Sequence, residues 1–477
     1  VNDSRAASSR KTWILVGTIL GSGAVFVEGS VTMVALPAIA RDFHLGIAGL
    51  QWVLNGYLLT LSALMLLGGA LGDRFSRRRV FAAGLVGFCA TSIACALAPN
   101  LHLLVIARVL QGAAGALVVP NSLALLETTF SGPERGAAVG HWAAWSAVST
   151  ALGPLAGGWL VDAGSWRWVF VCVAPIAAAA VAAVGIAHDV RDASTARRAV
   201  DYAGAALVTL GLAGVIGALI VGPEMGFTAP APLAAFVIGV VLMCAFIVVE
   251  HRVASPLVPL DVFRVRQFVG VNASTLVLYA ALSGMMFLLM LQLQTAMGYS
   301  ALRAGASLLP MNVLMLLLSA PAGRLAERIG ARPLMVTGSL IAAIGMLLFT
   351  RVRPGATYMA SVLPAAVVFG FGLACFVAPL TAVALAALGE ERAGLASGVN
   401  NAVARLAGLL AVAILPLAAG LGGAQELTAG DVSRGFTRAM VVCAALCATG
   451  SAVSAVTIRS SGRPTGVPKE TANRHIG

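Results

Sequence analysis

The sequence predicts an all-α polytopic membrane protein with fourteen transmembrane helices arranged as six, two and six. Three observations carry this expectation. Of the 477 residues, 59% are hydrophobic and only 10% charged, with a mean hydropathy of +0.93, whereas soluble domains carry charge on about a quarter of their residues. Apolar runs near the ~20 residues that cross a ~30 Å hydrocarbon core recur along the chain. A short charged motif also recurs: Gly69, Leu71, Asp73, Arg74 and Arg78 have the spacing of Gly323, Leu325, Glu327, Arg328 and Arg332. That pattern is the mark of an internal duplication with parallel topology.

Residues 1–12, with Arg5, Arg10 and Lys11, read as a cytoplasmic tail. A full-length span without a small-residue cleavage site follows, so the tail reads as retained and not as a signal peptide. The first six-helix half covers 13–187, with spans at about 13–37, 50–72, 79–98, 102–126, 136–161 and 167–187. Residues 188–201 read as a cytoplasmic linker, and 202–250 hold two inserted helices at about 202–222 and 232–250. The second half, 251–458, has spans at about 268–296, 304–322, 333–350, 357–388, 394–420 and 437–458, and a cytoplasmic tail occupies 459–477. The motif follows helix two and its copy follows helix ten. An offset of eight, where six would suffice, places two extra helices between two halves. With both termini in the cytoplasm, 22 of the 31 lysines and arginines fall inside, seven fall outside, and Arg108 and Arg405 lie within the membrane. The positive-inside bias favours that orientation.

Several function classes are disfavoured. A net charge of +12 spread over short inner loops without interleaved aromatics reads as topology and not as a nucleic-acid surface. No loop exceeds roughly 20 residues, which leaves no room for a separate catalytic domain. Neither Lys11 nor Lys469 follows a phosphate-loop glycine pattern. The seven cysteines fall inside apolar spans as small packing residues, and the six histidines lack metal-ligand spacing. An enzyme, a cofactor and a metal are therefore not expected.

GGALGDRFSRRR after helix two, RVLQG at Arg108 to Gly112 and ALGPLAGG at Ala151 to Gly158 resemble the signature motifs of the major facilitator superfamily. The Gly-Pro-x-x-Gly-Gly run in helix five, fourteen spans, EGSVTMVALP in helix one, SWRWVF after helix five and GLASGVNNAVARLAG in helix thirteen are similar to its fourteen-span drug/proton antiporter branch. The resemblance covers nearly the whole chain. It implies a major-facilitator-type fold in a bacterial plasma (inner) membrane and proton-coupled efflux of lipophilic drugs, antibiotics or related metabolites by alternating access. The alternative on the same scaffold is an importer or uniporter of a small metabolite. Expected partners are a small lipophilic substrate, protons and the bilayer; the oligomeric state is left open, a monomer included.

The candidate residues fall into four groups. In the charged motif, Gly69, Asp73, Arg74, Arg78, Glu327 and Arg328 would form a gating relay at the cytoplasmic face, or else merely signal topology. The family usually has Gly where this chain has Ser76. In helix five, Gly153, Pro154, Gly157 and Gly158 permit close helix approach and bending, and the resemblance implies a seal on the outer side against leak.

The third group is the ionisable residues at membrane depth, which are functional by default. Glu28 is the one deep acid, nine residues before Pro37 and so roughly 13 Å below the outer surface, with Arg108 about 9 Å down helix four from the same side. The two are expected to approach. Burial and a neighbouring arginine pull the proton affinity of Glu28 in opposite directions, so the pair is either a proton-coupling switch or a static ion pair. The family normally has Asp at this position. The fourth group is polar cavity candidates: Asn55, Tyr57, Gln292, Gln294 and Asn312, each better explained as a helix-helix hydrogen bond, together with Asn401 and Arg405. Asn401 and Arg405 share a face at i, i+4. Arg405 either faces an aqueous cavity and shapes anion or proton movement, or braces backbone carbonyls. Trp142, Trp145 and Phe287 either line a substrate pocket or make packing and lipid contacts.

Overall fold

The structure, a computed structural model, describes residues 2–186, 200–253, 256–389, 392–423 and 428–458. All regular elements among them are helices: α1 (Asn2–Phe43), α2 (Ile47–Arg74), α3 (Arg77–Leu97), α4 (Leu101–Thr129), α5 (Pro133–Ala163), α6 (Trp168–Val171), α7 (Val173–Ile186), α8 (Tyr202–Met225), α9 (Pro230–Arg252), α10 (Arg266–Leu291), α11 (Ala301–Ala306), α12 (Leu309–Ile329), α13 (Ala331–Phe349), α14 (Val362–Ala386), α15 (Ala393–Ala418) and α16 (Ala429–Thr457), with a short 3-10 helix (Leu260–Arg264) before α10 and a π-helical turn (Gln292–Ala296) after it. Of the expected linker at 188–201 only the last two residues are described, and the expected tail at 459–477 lies outside the described residues.

Thirteen helices or helix pairs among the described residues are long and apolar enough to cross a bilayer, with α6–α7 and α11–α12 each counting once. The 31-residue α5 is outside that set. At a rise of 1.5 Å per residue it spans about 46 Å, but Glu134, Arg135, His141, Ser146, Ser149 and Thr150 dilute its apolar character. The described residues thus hold thirteen such helices, or fourteen if α5 is counted with them.

The helices outrun the apolar stretches. Residues 2–12, expected as a tail, belong to α1, which also continues through Pro37 to Phe43. Gly69 to Arg74 and Gly323 to Arg328, expected as loops, are the last turns of α2 and α12. Hydropathy marks the hydrocarbon slab, whereas backbone hydrogen bonding carries a helix on into the interface. The true turns are two residues, Phe75 and Ser76, and one, Gly330. These differ between the copies: Ser76 has extended backbone and its Oγ accepts from Arg79 N at 3.2 Å, capping α3, whereas Gly330 has φ 92°, a left-handed conformation natural to glycine.

Helices α1 to α7 pack chiefly on one another, as do α10 to α16, and the two sets meet through α2 against α15, α5 against α11 and α1 against α10. Helix α8 covers the α2–α15 seam, with Leu212, Ile216 and Ile220 clustered with Leu59, Leu409 and Ala413. Helix α9 packs on α8; a β-carbon on Gly239 would lie 2.7 Å from Val215 N, the small-residue contact by which membrane helices associate.

The turns after α2 and α12 define an arginine-rich face. Several hydrogen bonds join the two sets toward the opposite face or at mid-depth. Gln51 Nε2 donates to Val412 O at 2.7 Å and Ala413 O at 3.1 Å, and Gln294 Nε2 donates to Val34 O at 2.9 Å. Asp162 accepts from Ala301 N at 3.0 Å and Leu302 N at 2.9 Å, and Asn312 Nδ2 donates to Ala151 O at 3.4 Å.

Candidate functional site

The deepest charges are brought together. Arg108 Nη1 on α4 lies 2.6 Å from Glu28 Oε1 on α1, and both side chains are 0% exposed. Thr32, one turn along α1, donates to the same oxygen at 2.9 Å. The guanidinium also donates from Nη1 to Gln111 Oε1 at 2.6 Å and from Nε to Val53 O at 3.0 Å, and Gln111 Nε2 donates to Ser92 Oγ at 2.8 Å. The Tyr57 ring lies 4.3 Å beneath the guanidinium, and its hydroxyl donates to Val25 O at 3.1 Å. One charged centre thereby ties α1, α2, α3 and α4. An ion pair so deep is tolerated because each charge has a counter-charge and further hydrogen bonds.

The centre is incompletely paired. Glu28 Oε2 and Arg108 Nη2 are buried without a described hydrogen-bond partner. Oxygen Oε1 already accepts from Arg108 and Thr32, which leaves Oε2 as the oxygen able to take a proton without first breaking a bond. Sequence reasoning missed Thr32 and Gln111, although their i+4 and i+3 offsets from Glu28 and Arg108 were the available signal.

The helix-five motif forms two contacts. Gly153 and Gly157 face α1: a β-carbon on Gly153 would fall 1.8 Å from Ser30 Oγ, and one on Gly157 3.0 Å from Val31 Cα. Gly158 faces α11, where a β-carbon would lie 2.5 Å from Ala301 O, and the Pro154 carbonyl oxygen stands 2.1 Å from the β-carbon position of Gly305. Asp162, one turn beyond Gly158, caps α11 across the same contact. Neither Asp162 nor Gly305 was singled out from sequence.

At the arginine-rich face Asp73 pairs with Arg77, whose Nη2 lies 2.7 Å from Oδ1, and not with Arg74 or Arg78. Arg74 stacks on Phe75 at 5.5 Å, and Arg78 Nη2 donates to Gly185 O near the end of α7 at 3.3 Å. Arg77 also reaches Ala124 O on α4 at 3.2 Å. Glu327 and Arg328 are exposed, and neither has an ion pair with a described residue. Gly69 has ordinary space beside it, its nearest neighbour being Pro120 Cβ at 3.6 Å from a β-carbon; the close approaches are at Gly68, 2.1 Å from Ala116 O, and Gly72.

The cavity candidates separate by their partners. Gln292 Nε2 donates to Val352 O at 2.8 Å and Gln294 bridges to α1, so both amides serve helix packing. Asn401 is exposed and donates to Ser397 O at 3.1 Å. Asn55 is 1% exposed with neither amide atom partnered among the described residues. Arg405 is half-buried, with its guanidinium 5.6 Å from the Phe26 ring; no carbonyl brace from a described residue is present. Trp142 donates to Ser22 Oγ at 3.0 Å and meets Phe26 edge-on at 6.3 Å. Phe287 is fully buried in the core, away from any lining role, and Trp145 is exposed.

Residues 18–412 match the Major Facilitator Superfamily. The chain is 36% identical over 415 residues to the puromycin resistance protein of Streptomyces alboniger, covering 85% of this chain and 81% of that one. It is 35% identical over 416 residues to the lincomycin resistance protein of Streptomyces lincolnensis, covering 86% and 85%. A bacterial homolog of the human lysosomal transporter Spinster, solved in an inward-facing and unoccupied conformation, superimposes with a TM-score of 0.67 at 16% identity, covering 94% of this chain and 97% of that one. This last likeness concerns the fold alone.

Proposed function

This chain belongs to the Major Facilitator Superfamily, multi-pass inner-membrane transporters of small molecules, and from that premise we propose that it exports lipophilic drugs, antibiotics or related metabolites in exchange for protons. The relatives' resistance roles support export. The observation that carries proton coupling is the Glu28–Arg108 pair: one buried carboxylate, held by Oε1, with Oε2 unpartnered. Protonation of Glu28 weakens its hold on Arg108 and loosens the tie among α1, α2 and α4; release of the proton restores it. This is a two-state element that substrate and proton both bias.

In this reading the architecture is six plus two plus six, as 13–187, 202–250 and 251–458, joined by the linker at 188–201, with the tails at 1–12 and 459–477 and both termini cytoplasmic. The arginine-rich face is then the cytoplasmic one. On the same reading the outer side is sealed by Gly153, Pro154, Gly157, Gly158 and Asp162, which pack against α1 and α11. Rocking of the halves would open that seal and bring the charged turns of Gly69, Asp73, Arg74, Arg78, Glu327 and Arg328 into play as a cytoplasmic gate.

The test is drug-triggered pH-gradient dissipation in inverted vesicles. The native chain and Glu28→Asp, which keeps the carboxylate, should couple, and Glu28→Gln should not. Drug movement by the native chain without proton movement overturns antiport and favours a uniporter.

A further inference from the structure

We infer that Arg405 is the recognition point for an anionic group, a carboxylate or phenolate, on a lipophilic aromatic substrate; this deepens the export reading and rests on it. Arg405 stands twelve residues into the 26-residue α15, at the middle of the membrane's depth. A cation there is tolerated only if it is paired or meets water. No described residue accepts a hydrogen bond from it or forms an ion pair with it; its one described side-chain contact is with the Phe26 ring. Its guanidinium faces α1, with the Phe26 ring at 5.6 Å, and it is half-buried and not sealed. Facing α1 from α15 while still partly accessible, it stands between the two helix sets.

The charge balance of the centre decides the substrate's sign. Among the described residues Glu28 is the one acid at this depth, and it is paired with Arg108, both side chains being 0% exposed. What remains accessible is a single positive charge. A lipophilic cation entering here meets Arg405 and no free carboxylate, whereas an anion gains a planar fork suited to bidentate pairing. The neighbouring surface is aromatic: Phe26 lies beneath the guanidinium, and Trp142 meets Phe26 edge-on at 6.3 Å. A flat ring carrying an acid fits both features. Asn401, one turn away on α15 and exposed, is placed to meet a second polar substituent.

The experiment uses the full chain in nanodiscs and three probes on one ring system: anthraquinone-2-carboxylate, its neutral carboxamide, and a trimethylammoniomethyl anthraquinone. Binding is measured as the excess over lipid-only nanodiscs. The native chain is expected to prefer the carboxylate over the carboxamide by about tenfold or more, the scale of a charge-assisted pair. Arg405→Gln should erase that preference and Arg405→Lys should keep part of it. Equal binding of carboxylate and carboxamide, tightest binding of the cation, no binding of any probe, or a preference that survives Arg405→Gln would each overturn the assignment. The native trio decides even where Arg405→Gln fails to fold. Failure of the export reading is distinguishable, because it appears as unchanged drug accumulation in cells expressing the native chain, whatever the probes do.

Discussion

Arg108 holds Glu28 by a single oxygen: Nη1 lies 2.6 Å from Oε1, while Oε2 has no described partner. Removing one member of a buried pair strands the other. Glu28→Gln leaves an unmatched cation at 0% exposure and is expected to cost about 3–5 kcal/mol of stability. Adding Arg108→Gln should recover most of that loss, because the two amides leave no buried charge. Thermal unfolding of the single and double variants in detergent checks this; equal or additive losses would show that the pair's charges are not coupled.

The repeated glycine motif separates two neighbouring positions. Gly69→Ala meets only ordinary van der Waals contact and should leave the melting temperature nearly unchanged. Gly68→Ala forces a β-carbon to 2.1 Å from the Ala116 carbonyl oxygen and should cost about 1–3 kcal/mol, the usual range for overpacking. A larger loss at Gly69 than at Gly68 would contradict the observed α2–α4 packing.

Gly68 and Gly69 are indistinguishable in the sequence, whereas the all-helical, many-span fold and the deep charges of Glu28 and Arg108 are legible there. A bilayer makes apolar length and buried charge outweigh other energies, and both can be read from composition and spacing. Partner choice cannot. Asp73 pairs with Arg77 over Arg74 and Arg78 because the two-residue turn of Phe75 and Ser76 brings the first residue of α3 back beside the end of α2, and hydropathy alone makes the charged motif a loop. Asp162 and Gln51 act on backbone atoms of α11 and α15, and backbone partners have no sequence signature.

The contact between α5 and α11 should behave as a removable seal. Gly158→Val places side-chain atoms against the Ala301 carbonyl, where even a β-carbon would be at 2.5 Å. Asp162→Cys with Leu302→Cys, in a chain otherwise stripped of cysteine, reports closure by disulfide formation. Crosslinking is expected to be efficient in the parent and to fall several-fold with Gly158→Val; undiminished crosslinking would remove the seal assignment.

At the arginine-rich face, Arg392 beside Asp261, at 2.7 Å, holds that carboxyl below the usual carboxylate range. A lowered folded-state value stabilises above the unfolded one, near pH 3.9, and the contribution is lost only as pH falls through the folded value. The pair is solvent-exposed, so its effect is small and salt-sensitive. The melting-temperature difference between the native chain and Asp261→Asn should therefore be small and the same at about pH 7.5 and about pH 5, both above the unfolded value. A gap that closes over that interval would show that the carboxyl titrates higher than its arginine partner allows.

If the substrate is an anion bound at Arg405, membrane potential enters the energetics in a definite direction. Export of one negative charge and entry of one proton each carry positive charge inward, so a one-for-one exchange moves two charges. At roughly 2.3 kcal/mol per charge per 100 mV, an inside-negative potential of that size drives such a cycle by about 4.6 kcal/mol, twice its pull on exchange of a neutral substrate. Proteoliposomes loaded with anthraquinone-2-carboxylate and clamped with valinomycin and potassium gradients test this. Efflux should rise steeply with interior-negative potential and persist when the pH gradient alone is collapsed, because the potential by itself favours anion exit. The carboxamide should respond half as steeply, through the proton only. Efflux of the carboxylate that ignores potential would mean that its charge is neutralised during transport, which Arg405 as a fixed cation cannot do.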